Sequence, residues 1–264
     1  MGDPRTPAGE AALRLLGSGQ PLDDDELHRL YGYPADPQRP WVRANFISSA
    51  DGGANVAGAT AGLGGPGDRA LFALLRSLAD IVVVGAGTVR IEKYGGVRLS
   101  VAERQRRQSR GQAEVPRLAI VTRSGLLDRD MGVFTATEVP PLILTCRSSA
   151  EATRHRLAGV VDPADVRDCS AGDPDAVDVA AALTVAGAGD RHRVLTEGGP
   201  TLLGSFIEAG LLDELCLTVA PFLVGGASPR IAAGAGQRQT PMHCAHLLTD
   251  EAGYLYARYV RSVR

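Results

Sequence analysis

The stretch HRVLTEGGPTLLGSFIEAG, His192 to Gly210, changes its hydrophobic period in the middle. HRVLTE reads as a short strand. TLLGSFIEAG carries apolar residues at helical spacing and closes on Gly210, so it reads as a helix. Between them stand Glu197, Gly198, Gly199 and Pro200. Proline suits a first helical position, where its missing N–H costs nothing. The free N–H groups of Thr201, Leu202 and their neighbours would then point into the crevice at the strand end, an anion site by geometry. Gly-Gly-Pro is also ordinary loop punctuation, so the rest of the chain has to decide its meaning.

The neighbouring segments repeat the alternation. WVRANFIS (41–48) reads as a strand, and PGDRALFALLRSLA (66–79) as a helix opened by Pro66. DIVVVG (80–85) and RLAIVT (117–122) are short, apolar and rich in β-branched residues, the pattern of strands buried on both faces. PLILT (141–145) follows, with EATRHRL (151–157) and PDAVDVAAALTVAG (174–187) as helices. ELCLTVAPFLVGG (214–226), MHCAHLLTDE (242–251) and GYLYARYV (253–260) supply late strands, the last two an antiparallel pair. Strands alternating with helices predict an α/β layer sandwich with a mainly parallel central sheet and an antiparallel C-terminal edge.

Residues 1–40 read as an N-terminal extension that packs on or rims the main domain, 41–264. It holds a possible helix from Glu10 to Leu16 and a second one capped by Asp23 and ended by Gly32 and Pro34. VRLSVAERQRRQSRGQAE (97–114) is charge-rich and reads as a solvated helix rather than a basic binding patch. Hydrophobic content of 44%, charged content of 22% and a net charge of −2 fit a soluble globular protein that binds neither nucleic acid nor membrane. No secretory leader or membrane-length apolar run is read, so the cytoplasm is the default expectation. Four cysteines without a C-x-x-C pair indicate neither a zinc site nor a disulfide framework.

Three stretches could carry chemistry. In DIVVVGAGTVRIE (80–92) a buried strand runs into Gly85, Ala86, Gly87 and Thr88, which offer backbone N–H groups and a hydroxyl to a phosphate. It is not the Rossmann fingerprint, because Arg90 stands where the third glycine belongs. Paired with the turn at Glu197–Pro200, it makes a cradle suited to a dinucleotide pyrophosphate. FISSADGG (46–53) places Ser48, Ser49 and Asp51 after a strand, where Asp51 is either a site residue or the anchor of an Asp-Gly turn.

SADGG, LLRSLADIVVVGAGTVRIE and VLTEGGPTLLGSFIEAGLLDELCLTVAPFLVGG, in this order, closely resemble the reductase domain of riboflavin biosynthesis, from about Trp41 to the C-terminus. The resemblance implies a dihydrofolate-reductase-like three-layer fold, NADPH as cofactor and a homodimer. It implies hydride transfer to the sugar C1′ of a small-molecule substrate, a ribosylamino-pyrimidine phosphate, with no metal. Carried over by position, Ile47, Gly85, Ala86, Gly87, Thr88, Glu92, Thr122, Arg123, Ser124 and Gly198, Gly199, Pro200, Thr201, Leu202 and Leu203 are expected on the cofactor. Asn45, Ser49, Thr60, Arg76 and Arg98 are expected on the substrate, with Asp51 and Glu197 as the catalytic carboxylates.

The chain departs from the family at Asn45, where many members carry lysine, and at Gly62, where tryptophan is frequent. No H-x-E or P-C-x-x-C deaminase motif is present. These departures leave two alternatives beside the pyrimidine: a pterin or folate substrate, and a non-catalytic NADP-binding regulatory protein.

Overall fold

A computed structural model gives the fold for residues 12–35, 37–189 and 191–262. The strands are β1 (Arg14–Leu15), β2 (Trp41–Ser49), β3 (Ile81–Gly85), β4 (Arg117–Val121), β5 (Leu142–Thr145), β6 (Val166–Asp168), β7 (Arg193–Thr196), β8 (Glu214–Ala220), β9 (Met242–Thr249) and β10 (Leu255–Arg261). They form one sheet in the order β1-β9-β10-β8-β2-β7-β3-β4-β5-β6. From β8 to β6 every pairing is parallel, whereas β8, β10, β9 and β1 pair antiparallel at the other edge. This is the α/β sandwich expected from the alternation. The helices are α1 (Asp24–Leu30), α2 (Pro66–Leu78), α3 (Ala86–Ile91), α4 (Val101–Ser109), α5 (Gly132–Thr135), α6 (Arg147–Arg156), α7 (Val179–Ala186) and α8 (Pro200–Glu208).

The apolar run of β3 is buried on both faces, as its composition predicts. Val82 and Val84 enter one core with Leu71, Leu75 and Leu78 of α2 and Val89 of α3. Ile81 and Val83 enter the other with Leu202, Leu203 and Phe206 of α8. The neighbouring strands β3 and β7 thus send their following helices to opposite faces of the sheet. That divergence opens a crevice beyond their carboxyl ends, the switch point at which α/β sheets bind ligands.

Several boundaries differ from the sequence reading. Glu10 and Ala11 lie outside the described residues, and the rest of the expected helix holds β1, which pairs with β9 through Arg14↔Thr249. Burying a sheet edge overrides local helix preference there. β6 is too short to leave a pattern. The turn after β3 continues as α3, α6 starts four residues before the expected EATRHRL, and α7 starts at Val179 after the cap Asp178. The solvated helix is α4, but its Arg107 is fully buried and donates to the carbonyls of Ala113, Ser77 and Ala79. A charged side chain reaches such a position only when backbone acceptors replace its water.

Under the antiparallel half lies a buried ion cluster. Glu214 at the start of β8 is paired with Arg43 of β2 at 2.6 Å and with Arg258 of β10 at 2.7 Å. The Trp41 indole N–H donates to the same carboxylate at 3.1 Å. Burial alone would push the Glu214 carboxyl up, but Arg43 and Arg258 hold it below the ordinary range. Arg258 also donates to the carbonyls of Leu30 and Gly32, tying the chain after α1 to the sheet.

Candidate active site

Two turns meet at the crevice. The Gly85 N–H donates to the Gly198 carbonyl at 2.6 Å, and the Glu197 N–H to the Val83 carbonyl at 3.1 Å. A Cβ on Gly85 would lie 3.3 Å from the Gly199 nitrogen, a close contact that would push the two turns apart by a few tenths of an ångström. Gly198 has φ +103° and its peptide to Gly199 is cis. Neither α3 nor α8 has a side-chain cap, which leaves the first-turn N–H groups of α8 open toward the crevice.

Two cavities flank these turns. The first, about 250 Å³, is lined by Asn45, Ile47, Thr60, Glu92 and Glu197 among the expected residues, and by Phe46, Asn55, Asp68, Arg69, Phe72 and Tyr94, which were not expected. The second, about 590 Å³, is lined by Gly85, Ala86, Gly87, Thr88, Thr122, Arg123, Ser124, Gly199, Pro200, Thr201 and Leu202. Arg90, Ile91, Val121, Ala176, Val177, Val179 and Ser205, which were not expected, complete it. Thr88, Ile91, Gly199 and Pro200 line both cavities, so the two spaces adjoin across one seam.

The expected cofactor residues divide between the two cavities and the core. Glu92 lies on the first cavity, not the second, and accepts the Thr60 N–H at 2.9 Å. Ile47 is also on the first. Leu203 is buried in the core and Gly198 beneath the turn, and neither lines a cavity. Arg98 is exposed on the loop after Tyr94, away from both cavities.

Arg76 is not a free cation for a substrate phosphate, because it forks onto Glu197 at 2.7 and 2.6 Å. The Tyr94 hydroxyl donates to the same carboxylate at 2.8 Å. Glu197 therefore meets the cavity already paired, with Arg76 behind it and stacked over Phe72 at 4.1 Å. Burial opposes the charge on Arg76, but Glu197 outweighs it and holds the guanidinium protonated. Asp51 and Ser49 lie outside the cavity lining. Ser49 donates to Asp51 at 2.5 Å, and Asp51 also accepts the N–H groups of Val224 and Gly225.

Asp68, in the first turn of α2, is the acid that sequence reading missed. It lines the first cavity, and burial pushes its carboxyl up against a hydrogen bond from Thr218 and the charge of Arg69. An acidic first turn is ordinary helix capping, so the residue carries no separate signal in the sequence. Gly67 allows the placement: a Cβ there would collide with the Tyr256 hydroxyl and Asp250.

The fold and the crevice define an α/β domain with a two-compartment ligand cleft at the carboxyl ends of its parallel strands. Residues 40–256 match the RibD C-terminal domain, and the chain belongs to that family. It is 25% identical over 198 residues to the 2,5-diamino-6-ribosylamino-4(3H)-pyrimidinone 5′-phosphate reductase of Archaeoglobus fulgidus, covering 74% of this chain and 87% of that protein. A segment of 37 residues is 54% identical to the riboflavin biosynthesis protein RibD of Mycobacterium tuberculosis, 14% of this chain and only 11% of that protein's length. Among solved structures, a pyrimidine reductase-like protein from Corynebacterium diphtheriae superposes with a TM-score of 0.75 at 25% identity, covering 85% of this chain and 93% of its own. A riboflavin biosynthesis reductase of Saccharomyces cerevisiae shares the fold, with a TM-score of 0.63 at 14% identity over 91% of this chain and all of its own. Among the described residues, no helix is long and apolar enough to cross a membrane, and no group of three or more His, Cys, Asp or Glu could hold a metal.

Proposed function

We propose that the chain is an NADPH-dependent reductase of a ribosylamino-pyrimidine phosphate, with the second cavity taking the cofactor and the first the substrate. The observation that carries this reading is the shared seam, because a hydride donor and its acceptor must be held in contact away from water. The second cavity fits a dinucleotide: glycine-lined, within the ordinary size range of ligand sites at roughly 300–1,000 Å³, beside the open N-terminus of α8, with Arg123 and Ser124 at its edge. The nicotinamide cofactor, when bound, supplies the hydride. This chain's own residues orient the ring: Asn45 and Ile47 of β2 form one wall, Phe72 and Tyr94 another. Thr88 offers its hydroxyl at the seam. The test is NADPH oxidation, followed at the nicotinamide absorbance, with the ribosylamino-pyrimidine phosphate and, separately, dihydrofolate. Tight NADPH binding with no oxidation by either substrate would leave only the non-catalytic reading.

Asp68 gives the pterin or folate reading its specific support. A partly buried carboxylate in the substrate cavity suits a ring that presents amino and ring N–H donors side by side. The diaminopyrimidinone and the pterins share that edge, whereas the uracil form replaces the amino group with a carbonyl.

Two variants test the assignment of the cavities. Glu197→Gln leaves Arg76 half-compensated behind the first cavity and should lower kcat/KM about ten- to a hundredfold with NADPH affinity kept. Unchanged turnover would remove Glu197 from the substrate side. Arg123→Ala should lower the affinity for NADPH, but not for NADH, by about tenfold. Equal losses for both cofactors would place the 2′-phosphate elsewhere.

A further inference from the structure

The two loops that frame the first cavity are tied to each other by a row of hydrogen bonds that begins with the Ala50 N–H to the Phe222 carbonyl at 2.9 Å and includes one charged acceptor, Asp51. Asp51 follows β2, and its carboxylate accepts the Ser49 hydroxyl from its own strand. Across the gap it accepts the N–H groups of Val224 at 3.2 Å and Gly225 at 2.7 Å, in the loop after β8. Neighbouring bonds continue the seam: Ala54 N–H to the Pro229 carbonyl at 2.8 Å, and the Ser228 hydroxyl to the Asn55 carbonyl at 2.9 Å. The residues so tied, Ala54, Asn55 and Pro229, all line the substrate cavity. At its other end the first loop is held by the Thr60 N–H donating to Glu92 and by the Tyr254 hydroxyl donating to the Leu63 carbonyl, both at 2.9 Å. Hydrogen bonds from Ser49, Gly225 and Val224 hold the Asp51 carboxyl down at about 2, so it stays ionised over the working pH range.

We propose that Asp51 is a positioning residue: it clasps the loop after β2 to the loop after β8 and so sets the mouth of the substrate cavity, without touching substrate. Its carboxylate spends its acceptor sites on Ser49, Val224 and Gly225, and it is absent from the cavity wall. A residue acting this way controls how well the cavity closes on a ring, not the chemical step. The part concerning substrate rests on the proposed reductase reading; the part concerning the loops does not.

Asp51→Ala and the milder Asp51→Asn, which keeps one acceptor oxygen, test it with two readouts. Amide hydrogen exchange in the ligand-free protein should speed up at Val224 and Gly225, about tenfold or more in Asp51→Ala and less in Asp51→Asn. With whichever substrate the native protein reduces, KM should rise in the same order, while kcat falls by less than about threefold and NADPH affinity holds. Unchanged exchange at Val224 and Gly225 overturns the clasp even if no substrate is found. Loss of kcat at unchanged KM overturns it the other way and makes Asp51 a participant in the reaction. Faster exchange in a protein that oxidises NADPH with neither substrate keeps the clasp and rejects the reductase reading.

Discussion

Glu214→Gln should cost the fold about 3–5 kcal/mol, because removing one partner strands buried charge. Arg43 and Glu214 have no exposed side-chain surface, and Arg258 keeps only 15%. With the carboxylate gone, two guanidinium groups face each other in the sheet interior, and the Tyr33 ring, stacked 3.9 Å from Arg43, cannot neutralise them. The chain after α1 should loosen as well, since Arg258 ties Leu30 and Gly32 to β10. Urea unfolding reads the loss directly. The triple variant Arg43→Met, Glu214→Leu, Arg258→Met should recover part of it, because apolar residues of similar volume often replace a complete buried ion cluster at little cost, whereas leaving Arg258 in place would strand its charge. A change within about 0.5 kcal/mol in Glu214→Gln, the scale of a surface substitution, would show that water reaches the cluster.

Asp68→Asn should lower kcat/KM for an amino-substituted ring about ten- to a hundredfold, the worth of hydrogen bonds to a charged group. It should barely change the affinity for NADPH, which the proposed site holds in the other cavity. The carboxyl is raised by burial, so its useful ionised form is lost as pH falls through that raised value. KM for such a substrate should therefore climb toward acid pH in the native protein, and the Asn variant should lose that acid limb. Steady-state kinetics with the diaminopyrimidinone and the uracil forms of the ribosyl phosphate separates the cases. A variant equally active on both, with an unchanged pH profile, would place the ring edge away from Asp68.

The parts of the fold carried by continuous local patterns were legible. The all-apolar runs of β3, β4 and β5 read as strands buried on two faces, and the period change at Thr196–Pro200 as a strand-to-helix turn, and the fold has both. The second cavity is built largely from those turns, and all the residues expected on it except Ile47, Glu92, Gly198 and Leu203 line it. The first is built from partners far apart in sequence, and pairing between them leaves no local mark. Arg76 reads as a phosphate-binding cation until Glu197, 121 residues away, is found to hold its Nε and Nη2. Asp51 reads as a turn anchor or, by the resemblance, as a catalytic carboxylate, and the bonds to its oxygens from the loop 173 residues on leave no mark in the local sequence. Asp68 and Tyr94 carry no local signal in the sequence; Gly65 and Gly67 let α2 pack on Tyr254 and Tyr256, and Asp68 lines the cavity beside them.

The central claim is that the seam at Thr88, Ile91, Gly199 and Pro200 holds a hydride donor against a sugar-bearing ring. Turnover with NADPH deuterated at the transferable position of the nicotinamide, followed by mass spectrometry of the product, tests it most directly. The account predicts one deuterium in the product of the ribosylamino-pyrimidine phosphate, fixed at the former sugar C1′. A product without deuterium, or no product from a protein saturated with the cofactor, would contradict it.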